Sequence, residues 1–229
     1  MARVPGPLEA LYPFTHGVRK DALLEDRGLL ESIRQKAAHS ASVSQEFFSA
    51  NADAILATSK AIAEVYRRGG RLFTMGNGGS SCDAAHVAVE FLHPITAGRP
   101  ALPAIHLGAD TAMLTAVGND VGFDNVFSRQ LDAQARAADG LLGVSTSGQS
   151  RNLLNAFVKA KQMGLTTVGL AGMDGGAMAV SEAVDHCLVV RSDSIHRVQE
   201  CHVATYHILW DLVHTELADD RSLLRGHVR

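Results

Sequence analysis

Five short apolar runs recur between residues 71 and 190, and stretches with helical spacing separate them. The runs are Arg71–Met75, Leu102–Leu107, Leu141–Val144, Thr166–Leu170 and Cys187–Val190. The helical stretches are 80–92, 110–117, 124–137, 150–163 and 175–183. Nearly continuous apolar strands that alternate with helices are typical of a parallel sheet, because parallel strands need long crossovers and are covered on both faces. We therefore predict an α/β fold, a three-layer α-β-α sandwich around a central five-stranded parallel sheet.

Helical patterns also precede and follow this core. Apolar residues at helical spacing predict one helix from Leu29 to Ala50 and a second from Ala52 to Arg68, which a glycine pair ends. A last long helix is expected from about Ser194 to Ala218. Residues 1–28 contain three prolines and show weak periodicity. We therefore predict an irregular N-terminal arm over residues 1–28 and a single domain over residues 29–229.

Composition argues against several classes of partner. The formal net charge of -3 gives no reason to expect nucleic acid or an anionic membrane surface. No apolar run approaches the roughly 20 residues of a membrane span, and the N-terminus shows no apolar signal segment. Cys82, Cys187 and Cys201 are widely spaced and form no Cys-x-x-Cys pair, which favours a reducing compartment over a disulfide framework. We therefore expect a cytoplasmic protein with no nucleic-acid or membrane partner.

A glycine- and serine-rich turn, Gly76-Asn77-Gly78-Gly79-Ser80-Ser81, follows the first predicted strand. Glycines at a strand-to-helix turn let the chain bend tightly or approach a ligand closely. One of the serines can cap the next helix, whose first turn would carry Asp83. On that helix His86 and Glu90 are four residues apart and lie on one face, a spacing suited to metal binding or acid–base chemistry. A lone histidine on a half-buried helix is more often structural, so this pair by itself is a weak signal.

Four hydroxyl side chains occupy a second strand-to-helix turn, Ser145-Thr146-Ser147-Gly148-Gln149-Ser150. Backbone N–H groups and the helix dipole at such a turn favour an anion, whereas a capped helix start would need only one hydroxyl. Ligands of open parallel sheets bind beyond the carboxyl ends of the strands, where both turns are expected. Neither turn has the spacing of a Walker loop or of a dinucleotide fingerprint. The predicted ligand is therefore a phosphorylated small molecule.

Gln199 and His207 lie on the last predicted helix, eight residues apart. That separation corresponds to about 12 Å of helix rise, so the two side chains of one chain cannot readily hold one small ion together. If both serve one site, we expect them to come from different subunits of an oligomer.

Together these motifs resemble the sugar isomerase (SIS) family, and within it the phosphoheptose isomerases. The resemblance extends over roughly Leu29 to Leu217 and includes the two turns with Asp83, His86 and Glu90. It also rests on the segments Gly118-Asn119-Asp120-x-Gly122-Phe123, Phe127-Ser128-Arg129-Gln130, Gly172-x-Asp174-Gly175-Gly176 and Gln199-Glu200-x-His202. It implies an SIS fold and the conversion of sedoheptulose 7-phosphate, a ketose, to a heptose 7-phosphate aldose, D-glycero-D-manno-heptose 7-phosphate.

The resemblance also implies a set of site residues. The phosphate would be held by Ser80, Ser145, Ser147 and Ser150, with Thr146 beside them in the substrate site. The sugar would be lined by Asn77, Asp83, Asp120 and Gln199. One zinc ion per active site would be held by His86, Glu90, Gln199 and His207. Glu90 and His207 would also transfer protons, and for Glu90 the two roles compete because a tightly ligating carboxylate loses basicity. The family's homotetramer, with active sites shared between subunits, is expected here too.

Two departures from the family pattern fall near the sugar chain. Pro94 stands where the family often has arginine, and Ser194-Ile195-His196 precedes Gln199 where threonine or aspartate is usual. They leave open an isomerase of another phosphosugar. A non-catalytic SIS protein that binds a phosphosugar or assembles partners is the alternative from another class. Relatives of that kind lack the residues equivalent to Glu90 and His207, so the enzyme is favoured. A DNA-binding regulator would need a helix-turn-helix domain, for which about 28 leading residues are too few.

Overall fold

The computed structural model describes residues 26–218, which contain the predicted parallel sheet. Its five strands run in the order β2-β1-β3-β4-β5, and all four pairings are parallel. The strands are β1 (Leu72–Gly76), β2 (Ala104–His106), β3 (Gly140–Ser145), β4 (Thr166–Gly172) and β5 (His186–Val190). Every strand begins and ends within two residues of its predicted apolar run, and helices cover the sheet, so the predicted fold class is confirmed.

Seven α-helices lie within residues 26–218, together with one 3-10 turn over Phe123–Asn125. The helices are α1 (Asp26–Arg67), α2 (Gly79–Leu92), α3 (Thr111–Asp120), α4 (Ser128–Gln134), α5 (Arg151–Gln162), α6 (Gly176–Ala179) and α7 (Ile195–Glu216).

Four of the predicted helices were wrong in their extent. The first two predicted helices are one continuous helix, because neither glycine nor proline interrupts the chain near Asn51, whose side-chain amide donates to the Phe47 carbonyl at 2.9 Å. The predicted stretch 124–137 is divided into the 3-10 turn and α4, and α4 ends at Gln134 because Ala135 adopts an extended backbone. Helix α6 is a single turn, shorter than the predicted 175–183.

The sheet separates two apolar cores, one on each face. Alternate residues of a strand point to opposite faces, so Leu142 joins one core while Leu141 joins the other. Buried residues of α1, α2 and α7 fill the first core, and buried residues of α4 and α5 fill the second. This arrangement is the three-layer sandwich, and it places α2 and α7 on the same side of the sheet.

The chain separates into two compact units, residues 1–39 and residues 40–229. Of the first unit the structure describes the opening of α1 from Asp26, and the second unit contains the sheet. The division into an arm over residues 1–28 and one domain over 29–229 stays a prediction, since most of the arm and the tail after residue 218 lie outside the described residues. Among the described helices, none has a stretch long and apolar enough to cross a bilayer.

His202 is a buried histidine whose protonation should affect stability. Its Nε2 donates to the carbonyl of Ala171, at the end of β4, at 3.0 Å. Within the described part of the chain, no group forms a hydrogen bond with its Nδ1. Burial lowers the pKa of His202 from 6.5 to about 4, partly offset by the hydrogen bond to Ala171. Between about pH 4 and 6.5 the folded protein therefore keeps this imidazole neutral while the unfolded chain protonates it.

The stabilising effect of the neutral His202 is complete above about pH 6.5 and is lost as the pH falls towards 4. At pH 4.5 we expect the loss to reach about 2 to 3 kcal/mol of unfolding free energy. Urea unfolding at pH 7.5 and 4.5 measures it, with His202→Gln compared to the exposed control His196→Gln. The drop in unfolding free energy between pH 7.5 and 4.5 should be smaller in His202→Gln than in wild type and unchanged in His196→Gln. An equal drop in wild type and His202→Gln would refute this assignment.

Candidate active site

The two polar turns leave the sheet side by side. Strands β1 and β3 are hydrogen-bonded neighbours, and Gly76 is in register with Val144. Because both strands point the same way, the turn after Gly76 and the turn after Ser145 meet at the carboxyl edge of the sheet. This is the shared edge at which the sequence predicts the ligand.

The first turn depends on glycine and does not use a serine cap. A Cβ at position 76 would lie 2.2 Å from the carbonyl oxygen of Ser80, so only glycine allows the chain to fold back this tightly. Helix α2 begins at Gly79, and its N-cap Gly78 forms no side-chain cap. Ser80 therefore lies inside the first turn and is buried, and Asp83 lies in the second turn of the helix. The predicted serine cap and first-turn Asp83 were wrong.

In the second turn the hydroxyl groups face one another. Ser145 Oγ lies 3.2 Å from Ser150 Oγ and accepts from the backbone N–H of Gly148 at 3.2 Å. Ser147 Oγ accepts from the N–H of Gln149 at 3.2 Å. Ser150 is the N-cap residue of α5, yet its side chain makes no cap hydrogen bond. A hydroxyl that accepts from the backbone still has its own proton to donate, so this turn can offer several O–H donors to an anion.

A reciprocal amide pair, which was not predicted, links the first turn to the start of α5. Asn77 Nδ2 donates to Asn152 Oδ1 at 2.9 Å, and Asn152 Nδ2 donates to Asn77 Oδ1 at 2.9 Å. Asn152 is 3% exposed, and its Oδ1 also accepts from the N–H of Leu153. The side chain of Asn77 is thus engaged with Asn152, and the first turn is held against the start of α5.

Three potential metal ligands converge beyond the turns. His86 and Glu90 come from α2 and His207 comes from α7, and one ligand atom from each lies within 4.8 Å of the others. His86 Nε2 is 3.1 Å from Glu90 Oε1, and the rings of His86 and His207 are 5.1 Å apart. The side chains of His86 and Glu90 are 42% and 22% exposed, so a ligand can reach this triad.

Gln199 lies beside the start of α2, whereas His207 lies beside His86 in the middle of that helix. A Cβ at position 79 would come within 2.5 Å of Gln199 Nε2, which places this amide beside the first turn. Helices α2 and α7 therefore run parallel, with Gln199 near Gly79 and His207 near His86. Within one chain the two side chains are thus separated along the helix axis, as the helix rise predicts. That Gln199 and His207 of different subunits serve one site stays a prediction.

The two predicted aspartates have different surroundings. Asp83 is half-buried, and in the described part of the chain its Oδ2 has no hydrogen-bond partner. Burial raises the pKa of Asp83 above 3.8, while the nearby His86 opposes the rise. Asp120 is exposed at the end of α3, where it accepts from Asn119 at 2.8 Å. Among the described residues, no hydrogen bond or ion pair joins Asp120 to the turns or the triad.

Two aromatic residues of α7 contact the triad, and neither was predicted. Tyr206 Oη lies 2.7 Å from His86 Nδ1, and Trp210 Nε1 donates to the Glu90 carbonyl at 2.8 Å. Burial, followed by the charges of Asp83 and Glu90, raises the pKa of Tyr206 to about 12, so its phenol is protonated at neutral pH. These contacts fix the helix positions that carry His86 and Glu90.

The donor set of the triad suits a divalent metal ion. Two imidazole nitrogens and a carboxylate oxygen form the three-ligand set that catalytic zinc sites use, with a further position left for substrate. Three of the four predicted metal ligands, His86, Glu90 and His207, therefore fit such an ion, and Gln199 is not part of this cluster.

Comparison with known proteins supports the same family. A model of the SIS domain matches residues 37–172. The phosphoheptose isomerase of Sulfurimonas denitrificans is 47% identical over 162 residues, which cover 71% of this chain and 82% of the relative.

Two solved structures have the same fold at lower identity. The phosphoheptose isomerase from Francisella tularensis superposes with a TM-score of 0.77 at 34% identity, covering 81% of this chain and 98% of that one. The phosphoheptose isomerase GmhA from Neisseria gonorrhoeae gives 0.76 at 33% identity, covering 82% and 99%. The resemblance seen in the motifs is thereby confirmed, and the chain belongs to the SIS domain family and, within it, to the phosphoheptose isomerases.

Proposed function

We propose that the protein is a ketose–aldose isomerase that converts sedoheptulose 7-phosphate to D-glycero-D-manno-heptose 7-phosphate through an enediol intermediate. The observation that carries the proposal is that two members of the imidazole–carboxylate triad, His86 and Glu90, lie on the helix that begins at the first polar turn, where α7 adds His207. Relatives named phosphoheptose isomerase at 40–47% identity support this choice of substrate.

The spacing along α2 suits a substrate with a phosphate at one end and a carbonyl at the other. Six residues separate Ser80 from His86, which corresponds to about 9 Å of helix rise. A sugar chain of several carbons can extend over that distance. The phosphate would then lie between the two turns, and the carbonyl carbon would lie beside the triad.

Each site residue has a proposed role at one end of this cleft. Hydroxyls of the two turns would bind the phosphate, with the α2 and α5 N-termini adding favourable dipoles. Asn77, Asp83, Asp120 and Gln199 would line the sugar, and for Asp120 this requires a rearrangement of the end of α3. The position of Gln199 beside Gly79 favours a substrate contact, and its role as a fourth metal ligand stays a prediction.

Proton transfer is proposed for Glu90 and His207. Isomerisation moves a proton between two adjacent carbons, so it needs a base at carbon and an acid at the oxygens. A carboxylate and an imidazole within 4.8 Å of one another can perform these two roles. A Zn²⁺ ion held by His86, Glu90 and His207 would supply a Lewis acid for the sugar carbonyl.

The proposal also includes two further points: the protein forms a homotetramer, and it is located in the cytoplasm. Val89 and Leu92 on α2 and Ile208 on α7 are exposed apolar residues next to the triad positions, as expected of helices that a second subunit covers. All three cysteines are free thiols, which suits a reducing compartment.

Substrate discrimination tests this function. Turnover of sedoheptulose 7-phosphate, unphosphorylated sedoheptulose and fructose 6-phosphate would be followed by proton NMR. We expect kcat/KM for the first to exceed that for the second by at least about 100-fold, because charge-assisted contacts to the phosphate are lost. The third sugar tests whether Pro94 and Ile195 alter the choice of sugar. Equal turnover with and without the phosphate would contradict the proposal.

Asn152→Ala should weaken substrate binding through the first turn. The change leaves the Asn77 amide without its partner and frees the turn, so we expect KM for sedoheptulose 7-phosphate to rise about tenfold with a smaller change in kcat. Steady-state kinetics measure it. Asn155→Ala is the matched control, because Asn155 is exposed on the same helix and its amide donates to the Asp124 carbonyl, away from the first turn. Unchanged KM in Asn152→Ala would show that the amide pair does not position the turn.

A further inference from the structure

Helix α7 places two rings in succession against His86. The Tyr206 ring is 5.2 Å from the imidazole of His86 and the His207 ring is 5.1 Å from it, both nearly perpendicular. Tyr206 is 2% exposed, whereas the side chain of His86 is 42% exposed. The Nδ1 edge of the imidazole therefore lies against the buried Tyr206, and the Nε2 edge faces Glu90.

The two nitrogens of His86 have separate partners. Nδ1 is 2.7 Å from Tyr206 Oη, and Nε2 is 3.1 Å from Glu90 Oε1. A histidine that ligates a metal through one nitrogen usually donates its other N–H to a fixed acceptor, which sets both the tautomer and the ring orientation. Tyr206 is the group in position to be that acceptor.

We propose that Tyr206 is a positioning residue that holds the Nε2 lone pair of His86 towards the triad and thereby sets the affinity of the triad for a divalent metal ion. The proposal rests on the proposed function only in that the triad binds a metal. It does not depend on which sugar is isomerised.

A phenol suits this position because its oxygen both donates and accepts. When Nε2 is protonated and donates to Glu90, Nδ1 accepts from the Tyr206 hydroxyl. When Nε2 offers its lone pair to a metal, the proton lies on Nδ1, which then donates to the same oxygen. The ring keeps one orientation in both cases, so metal binding needs no rearrangement of the buried edge.

Tyr66 provides a matched control. It is also buried, at 3% exposed, and packs against Phe91 with ring centroids 5.6 Å apart. Within residues 26–218, no hydrogen-bond partner lies near its hydroxyl. Tyr66→Phe and Tyr206→Phe thus remove the same atom from two buried tyrosines, but only Tyr206→Phe removes a contact to His86.

The test is the zinc affinity of the metal-stripped full chain, measured by competition with a chromogenic chelator and without any sugar. We expect Tyr206→Phe to bind Zn²⁺ about 10- to 100-fold more weakly than wild type, and Tyr66→Phe to bind within twofold of it. Equal affinity in all three proteins would overturn the proposal, as would equal losses in both variants or a wild-type chain that binds no Zn²⁺. A chain that binds Zn²⁺ as expected but does not isomerise sedoheptulose 7-phosphate would refute the function and leave this inference standing.

A second measurement tests whether Tyr206 positions His86 or only contributes to packing. In the zinc-loaded wild type, histidine nitrogen NMR should show a solvent-protected Nδ1–H on His86, because Tyr206 covers it. In Tyr206→Phe that signal should broaden through exchange with water, while the thermal unfolding of both metal-free proteins stays similar. An unprotected Nδ1–H in wild type would contradict the proposed contact.

Discussion

Replacing Glu90 with glutamine is expected to lower kcat for sedoheptulose 7-phosphate by roughly 10²- to 10⁴-fold. Glutamine has nearly the same shape, but its amide cannot accept a proton at neutral pH. The backbone of Glu90 is held by Trp210, so the helix should keep its place when the side chain changes. Steady-state kinetics measure the loss, and circular dichroism checks the fold.

Glu182→Gln is the control for this substitution, because Glu182 is exposed and outside the triad. Its kcat should match that of wild type. Zinc content, measured on the same samples, distinguishes a lost base from a lost metal ligand: retained zinc with a low kcat assigns Glu90 to proton transfer. Normal turnover by Glu90→Gln would remove this residue from the mechanism.

Removing the metal is expected to lower activity by at least about 100-fold, since a Lewis acid stabilises developing charge by several kcal/mol. Dialysis against a chelator, followed by metal analysis and assay, measures the loss. Adding back Zn²⁺ should restore activity, because the triad comes from two helices that are packed into the apolar core.

The control for metal removal is a measurement of whether the metal-free protein stays folded. The metal-free protein should keep its helical circular dichroism and a cooperative unfolding transition, so that lost activity cannot be attributed to unfolding. Full activity after thorough metal removal would exclude a metal from the reaction, while leaving the phosphate-binding role of the turns intact.

The layout of the fold could be predicted because it is encoded locally. Apolar runs and helical periodicity located all five strands to within two residues. The turns could be found for the same reason, since glycines and hydroxyls are concentrated just after β1 and β3. Helix ends were less predictable: apolar periodicity suggested two helices that meet near Asn51, whereas the chain continues as one helix because no glycine or proline interrupts it there.

Contacts between distant residues could not be derived from local pattern. The pairing of Asn77 with Asn152 depends on the register of β1 and β3, and the contact of Tyr206 with His86 depends on how α7 packs against α2. Helix rise predicts the separation of Gln199 and His207 within one chain, and the structure agrees, with Gln199 near Gly79 and His207 near His86. The parallel packing of α7 on α2, which produces those neighbours, is a long-range contact that helix rise does not encode.

The most direct test of the central claim is incubation of the wild-type, zinc-loaded protein with sedoheptulose 7-phosphate in deuterium oxide, followed by proton NMR. If a base beside the carbonyl transfers a proton between adjacent carbons while the turns hold the phosphate, the signals of a heptose 7-phosphate aldose should appear, with solvent deuterium at C2. Substrate that binds, as seen by line broadening of its phosphorus signal, but forms no aldose and takes up no deuterium would contradict the account.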